Sequence, residues 1–264
     1  MIKTIVWASA LAAAAAFPVL ADQWSKSFSV GAAPELRIET SDANVTLRAA
    51  NVKTIEAHVY TSGWRIGPGD VHVIDHQTGD RVEIEVKVPP MHFGLLNWGN
   101  RSINIEVQIP NATRTDVKTG DGNIRGEGLR GPAKLVTHDG NIEGEGFDGA
   151  LEASSGDGNI RVHGKFTSLN LRSGDGNIEA EVAAGSHMAT SWSVHSGDGG
   201  VTLRLPDGFA ANLDAHTGDG RITVDMPLAA EGGVHQDSVS GKLNGGGAVL
   251  TVRTGDGSVH LARL

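Results

Sequence analysis

The chain has 264 residues, with 22 lysines and arginines against 31 aspartates and glutamates, a formal net charge of −9, and no cysteine. That balance argues against nucleic acid as a partner, since phosphate binding needs clustered basic charge, and the missing thiols exclude both a disulfide framework and a lipid-attachable cysteine. With 36 glycines, nearly double the usual ~7%, and few aromatics, the composition suits thin, turn-rich β structure better than one large globular core.

The first 21 residues, MIKTIVWASALAAAAAFPVLA, read as a secretory signal peptide, with Lys3 as the positive start, Ile5 to Phe17 as the apolar run, and Val19 and Ala21 as the small residues before the cut. The run is shorter than the roughly 20 residues of a spanning helix, and no later segment is long and apolar enough to span. The expected mature chain is exported: periplasmic, associated with the outer envelope, or secreted.

Residues 22–114 carry strand-like runs at Glu35 to Thr40, Asn44 to Arg48, Thr54 to Tyr60, Arg81 to Val88 and Ser102 to Ile109. They are expected to form an irregular N-terminal β cap that protects the open edge of the first regular rung. TSDANVTL, from Thr40 to Leu47, is a degenerate copy of the later repeat. His72 and His76 share a strand face if this stretch is extended, but no third ligand accompanies them. The insertion PPMHFGLLNWGN at 89–100 crowds apolar bulk into a chain poor in it. It reads either as a cover over exposed core or, through Met91, Phe93, Leu96 and Trp98, as a partner-binding tip.

From 115 to 264 the chain repeats. KTGDGNIRGEG, THDGNIEGEG, SGDGNIRVHG and SGDGNIEAEV place Asp121, Asp139, Asp157 and Asp175 at intervals of 18, 18 and 18, and the pattern continues at Asp198, Asp219 and Asp256. The long last interval leaves SVSGKLNGGG, 238–247, to supply a missing corner. Between corners, small apolar and polar residues alternate with the period of a half-buried strand. Eighteen residues give roughly 60 Å of contour, enough for one coil of three short strands. The expected fold is an all-β, single-stranded β-helix or β-solenoid, right-handed, with rungs of about 18 residues.

Stacking such rungs ~4.8 Å apart turns each repeated position into a column. Ile124, Ile142, Ile160, Ile178, Val201, Ile222 and Val259 are the inward column, and Asn123, Asn141, Asn159 and Asn177 form an amide ladder that ends at Gly200. The glycines beside each aspartate are read as supplying positive φ, and the aspartate as accepting hydrogen bonds from its own turn. The alternative reading makes Asp121, Asp139, Asp157 and Asp175 a calcium column, since stacked carboxylates repel unless solvated, splayed or neutralised.

Gly126 to Gly131 and Gly144 to Gly149 fit GxGxxG, but they fall on the repeat with no helix following, so no nucleotide site is read there. GxSxG, Walker and HExxH motifs are absent. The many acids leave room for a polysaccharide-active enzyme on a β-helix, yet here they belong to the repeat itself.

The succession INIEVQIP, then VKTGDGNIRGEGLRGPAKLVTHDGNIEGEGFDG, then GKLNGGGAVLTVRTGDGSVHL resembles the bacterial family of candidate adhesins, a β-strand-repeat domain of unknown function. The resemblance covers about Ala33 to Leu264 and implies a β-helix-like solenoid in an exported or envelope protein, with no catalytic residues to carry over. The expected function is therefore non-enzymatic binding of a macromolecular or cell-envelope partner, without a cofactor.

Overall fold

A computed structural model of the chain describes residues 21–89, 101–230 and 235–264. Residues 1–20 of the expected signal segment and the residues Met91, Phe93, Leu96 and Trp98 lie outside that range, while Ala21 opens the first strand. The described residues form strands and turns with no helix. The strands are β1 Ala21–Ser29, β2 Glu35–Thr40, β3 Asn44–Ala50, β4 Thr54–Ser62, β5 His72–Thr78, β6 Arg81–Lys87 and β7 Ser102–Pro110. Next come β8 Arg114–Lys118, β9 Ile124–Glu127, β10 Ala133–Val136, β11 Ile142–Ser155, β12 Ile160–Ser173, β13 Ile178–Val182 and β14 Trp192–Ser196. The last seven are β15 Val201–Leu205, β16 Ala211–Thr217, β17 Ile222–Asp225, β18 Leu228–Ala230, β19 Ser238–Leu243, β20 Val249–Thr254 and β21 Val259–Arg263.

Alternation dictates the strands. In SINIEVQIP, Ile103, Ile105, Val107 and Ile109 are buried while the residues between them are not. The strands stack into two faces that meet at the GDG corners. One face runs β6, β2, β8, β10, the end of β11, the end of β12, β14, β20, β16 in parallel register. The other runs β7, β3, β9, the start of β11, the start of β12, β13, β15, β21, β17, also in parallel. Residues 18 apart pair directly, as Ile124, Ile142, Ile160 and Ile178 do. The result is an all-β repeat solenoid.

Its core is the expected column. Ile124, Ile142, Ile160, Ile178, Val201 and Val259 are at most 1% exposed, and burying each such side chain is worth about 1.5–3 kcal/mol. Phe147, Phe166, Trp192 and Phe209 continue it as a chain of ring contacts with centroids 6.3, 6.4 and 5.3 Å apart. Ile222, at the end of the stack, is only half-buried.

Three expectations change. The rungs do not stack in chain order: corner amides link Ser41 to Gly120, then His138, Gly156, Gly174 and Gly197, then Gly255, and last Gly218. The rung of β20 and β21 is thus inserted between two earlier ones, and β2 and β3 lie between β6–β7 and β8–β9. Next, 238–247 is no corner. Ser238–Leu243 runs antiparallel to β16, and the carbonyls of Asp237 and Gln236 receive the Thr217 and Ile222 amides at 3.0 Å each. At the end of a stack those amides have no further rung to donate to, and a reversing chain supplies the acceptors.

Finally, the corner glycines are not in the left-handed region. Positive φ occurs at Gly128 (67°), Gly131 (135°), Gly146 (69°) and Gly149 (148°), which are the bends where the GxGxxG pattern falls. The second glycine of each corner is required by close stacking instead: a Cβ on Gly158 would lie 1.9 Å from the Gly140 carbonyl oxygen. Ala43 stands at the same position, buried, in the corner next to β6–β7.

Candidate functional site

Each GDG or HDG corner is held by a hydroxyl in the role the aspartates were expected to fill. Ser155 Oγ donates to the Gly140 carbonyl at 2.8 Å and accepts from Gly158 N at 2.9 Å. Thr137, Ser173 and Thr217 repeat both bonds, while Thr119, Ser196 and Thr254 donate in the same way. Thr40, at the β6–β7 end of the column and 8% exposed, has no partner for its Oγ1 among the described residues. The amide ladder runs from Asn177 through Asn159, Asn141 and Asn123 to Asn44 and Asn104. It ends where Gly200 N donates to Asn177 Oδ1 at 2.8 Å.

With the turn satisfied by hydroxyls and amides, the carboxylates are left facing water. Asp121, Asp139, Asp157 and Asp175 form one exposed line, extended by Asp42 before Asp121 and by Asp198, Asp256 and Asp219 after Asp175. Among the described residues, no group of three or more histidines and acids is arranged to hold a metal ion. His72 and His76 both lie exposed on β5, with His76 Nε2 3.0 Å from Thr78 Oγ1. Beside the corner line a hollow of about 500 Å³ is lined by Ser41, Asp42, Trp64, Arg101 and Asp121 among others. The Arg101 guanidinium lies over the Trp64 ring at 4.4 Å.

The outward faces carry charge in rows. On the β7-to-β17 face, Arg125, Glu143, Arg161 and Glu179 pair in register, with ion pairs at 3.1 Å for Arg125–Glu143 and 3.0 Å for Arg161–Glu179. Arg204 also binds Glu179 and Glu181. Hydrogen bonds from Arg204 and then Arg161 hold the Glu179 carboxyl below its ordinary value. On the β6-to-β16 face one row alternates likewise through Glu83, Arg37, Asp116, Lys134 and Glu152.

The neighbouring row does not alternate. It reads Glu85, Glu39, Lys118, Val136, Ser154, Arg172, His195, Arg253, His216 and Ser238 across ten paired strands. Burial, then Arg172 and Arg253 on the two flanking strands, lower the pKa of His195. Sequence reading missed this row, although a signal for it exists: Arg172, His195, His216 and Arg253 each stand three residues before a corner aspartate.

These features define an all-β repeat solenoid with flat, polar outer faces. Residues 150–262 match the family model described as Toastrack DUF4097. No curated protein matches the chain. Among solved structures it is similar to a candidate cell adhesion protein from Clostridium sporogenes, at 12% identity over 92% of this chain and 99% of that one, TM-score 0.42. It is also similar to a candidate lipid-binding protein from Parabacteroides distasonis, at 13% identity over 91% and 96%, TM-score 0.46. A candidate adhesin from Parabacteroides merdae gives 11% identity over 91% and 96%, TM-score 0.40.

Proposed function

We propose that the protein is an exported, adhesin-like, non-catalytic module that binds a macromolecular partner of the cell envelope through its outer strand faces. The observation that carries this reading is the register of the outward side chains, which form continuous rows across up to ten strands. Repeat solenoids present extended surfaces of this kind to large ligands. The match to the Toastrack model over 150–262 and the signal-like residues 1–21 support it further. The reading takes the coil as 18 residues long and right-handed, the hand that strand twist favours for crossovers between parallel strands.

Fractionation of expressing cells tests it directly. The protein is expected in the envelope or medium and is expected to sediment with isolated envelopes. Retention in the cytoplasm, or release of sugar products from polysaccharides incubated with it, would overturn the reading and favour an enzyme on the same scaffold.

The single line of exposed carboxylates at Asp121, Asp139, Asp157 and Asp175 favours a second reading, a calcium-stabilised repeat. Thermal unfolding in EDTA, in calcium and in magnesium separates the two. A calcium-selective rise supports the column as a cation site, because a ligand that binds only the folded state raises its stability.

A further inference from the structure

On two outward rows of the solenoid acids and bases alternate, through Arg125 to Glu179 and through Glu83 to Glu152, while the row through Arg172 does not. Both alternating rows place an acid opposite each base, which is what strand pairing favours, since like charges directly opposite destabilise a sheet. Arg172, His195, Arg253 and His216 instead occupy four successive strands in direct register. Arg253 binds Asp214 at 2.6 Å in the adjacent row. Neither Arg172, His195 nor His216 has an ion-pair partner among the described residues. Folding does not require this run: the same row carries Val136 and Ser154 on the strands before it, and serine again at Ser238.

We propose that the row Arg172, His195, Arg253 and His216 is a binding strip for a linear acidic polysaccharide, one that carries carboxylate or sulfate along an extended chain. The proposal rests on the binding-module reading and names its site and ligand class. Strand spacing sets successive side chains ~4.8 Å apart and the Arg172 and Arg253 charges two strands, ~10 Å, apart, close to the length of a disaccharide in an extended glycan, with the His195 imidazole between them. Parallel to Arg172, His195 and Arg253 runs a row of neutral hydrogen-bonding groups, Asn170, Ser193 and Thr251, in the same register and suited to sugar hydroxyls, bounded by Glu152 on one side and by Asp214, the partner of Arg253, on the other. The strip contains no Phe, Tyr or Trp, the large rings that form the stacking platforms of single-stranded nucleic-acid sites. The corner aspartates Asp175, Asp198, Asp256 and Asp219 border it three residues further on. They would oppose the phosphates of a wide duplex, while a single glycan chain laid along the row avoids them.

The test titrates the purified protein with oligogalacturonate and with dextran sulfate, using neutral dextran and a single-stranded oligonucleotide as comparators. Binding of the acidic glycans is expected to weaken about tenfold or more in Arg172→Gln/Arg253→Gln, the loss of charge-assisted hydrogen bonds being of that size. Because Arg253→Gln also leaves Asp214 unpaired, Arg172→Gln alone is measured beside it, with thermal unfolding to show that the fold is kept. Equal glycan binding by the folded variants, equal binding of neutral dextran, or preference for the oligonucleotide would each overturn the proposal. Envelope sedimentation in parallel separates the two levels. Envelope binding that survives in the variants sinks the strip and leaves the binding module standing, whereas a wild-type protein that binds neither envelopes nor glycans sinks both.

Discussion

Thr217 Oγ1 donates a 2.7 Å hydrogen bond to the carbonyl of Gly257, forty residues later in the chain. Thr254 Oγ1 in turn donates to Gly199 at 2.8 Å. The last two strands are therefore an interior rung: β20 pairs with β14 and β16, and β21 with β15 and β17.

A chain ended at Ala248 should consequently fail to unfold cooperatively. Loss of the interior rung uncovers two core surfaces at once, those of Leu203 and Leu213 among them, both buried. Deleting Ala21–Ser29 should be far milder, because among the described strands β1 pairs with β4 alone. Circular dichroism melts and protease resistance of the two truncations check this. A cooperative melt for the chain ended at Ala248 would mean that β16 and β17 can close directly onto β14 and β15.

How much of this was legible depended on whether position in sequence matched position in space. Asn123, Asn141, Asn159 and Asn177 were readable because equal spacing put one above another. Asn104 and Asn44 extend the same ladder, but no GDG precedes either in the sequence, and the β2–β3 rung stacks between later segments. Sequence spacing cannot report which rung edge a returning chain meets. The row of Arg172, His195, Arg253 and His216 was hidden differently: its residues differ in type and interval, and only alignment on the corner aspartates brings them into line.

The stacking argument makes opposite predictions for two small residues. Gly158→Ala sets a methyl 1.9 Å from the Gly140 oxygen and 2.9 Å from Asn141 N, both backbone atoms that no rotamer change can move. It should cost about 3 kcal/mol or more, the upper range for overpacking. Ala43→Gly, where the equivalent methyl is already accommodated, should cost only about 1 kcal/mol for the lost buried methyl. Denaturant midpoints of the two variants measure the difference, and a mild Gly158→Ala would show that the corners are looser than their contacts imply.

Removing a corner hydroxyl should be costly while exchanging it should not. Ser173, 1% exposed, donates to the Gly158 carbonyl at 2.9 Å and accepts from Gly176 N at 3.0 Å. Ser173→Ala strands both buried partners, a loss of about 1–3 kcal/mol. Ser173→Thr should be near neutral, because threonine already fills this position at Thr119, Thr137, Thr217 and Thr254. If Ser173→Ala melts like the wild type, the corner is held by the Asn ladder and the backbone instead.

Acidification should weaken the fold in two stages, both of the same sign. His195 has its pKa lowered by burial and by its arginine neighbours. Near pH ~6.5 the unfolded imidazole takes up a proton that the folded one refuses, so stability falls from there toward the lower folded value. Glu179 is lowered by the hydrogen bonds of Arg204 and Arg161. Its contribution is complete above the unfolded carboxylate value of about 4.3 and disappears as pH falls from there through the folded value. His195→Gln should flatten the upper stage and leave the lower one, and Glu179→Gln the reverse. Chemical denaturation from about pH 7.5 down to about 3, a range that spans both unfolded values, resolves them. A stability that rises on acidification through pH ~6.5 in the wild type alone would mean that His195 is charged in the folded state, with a carboxylate rather than arginines governing it.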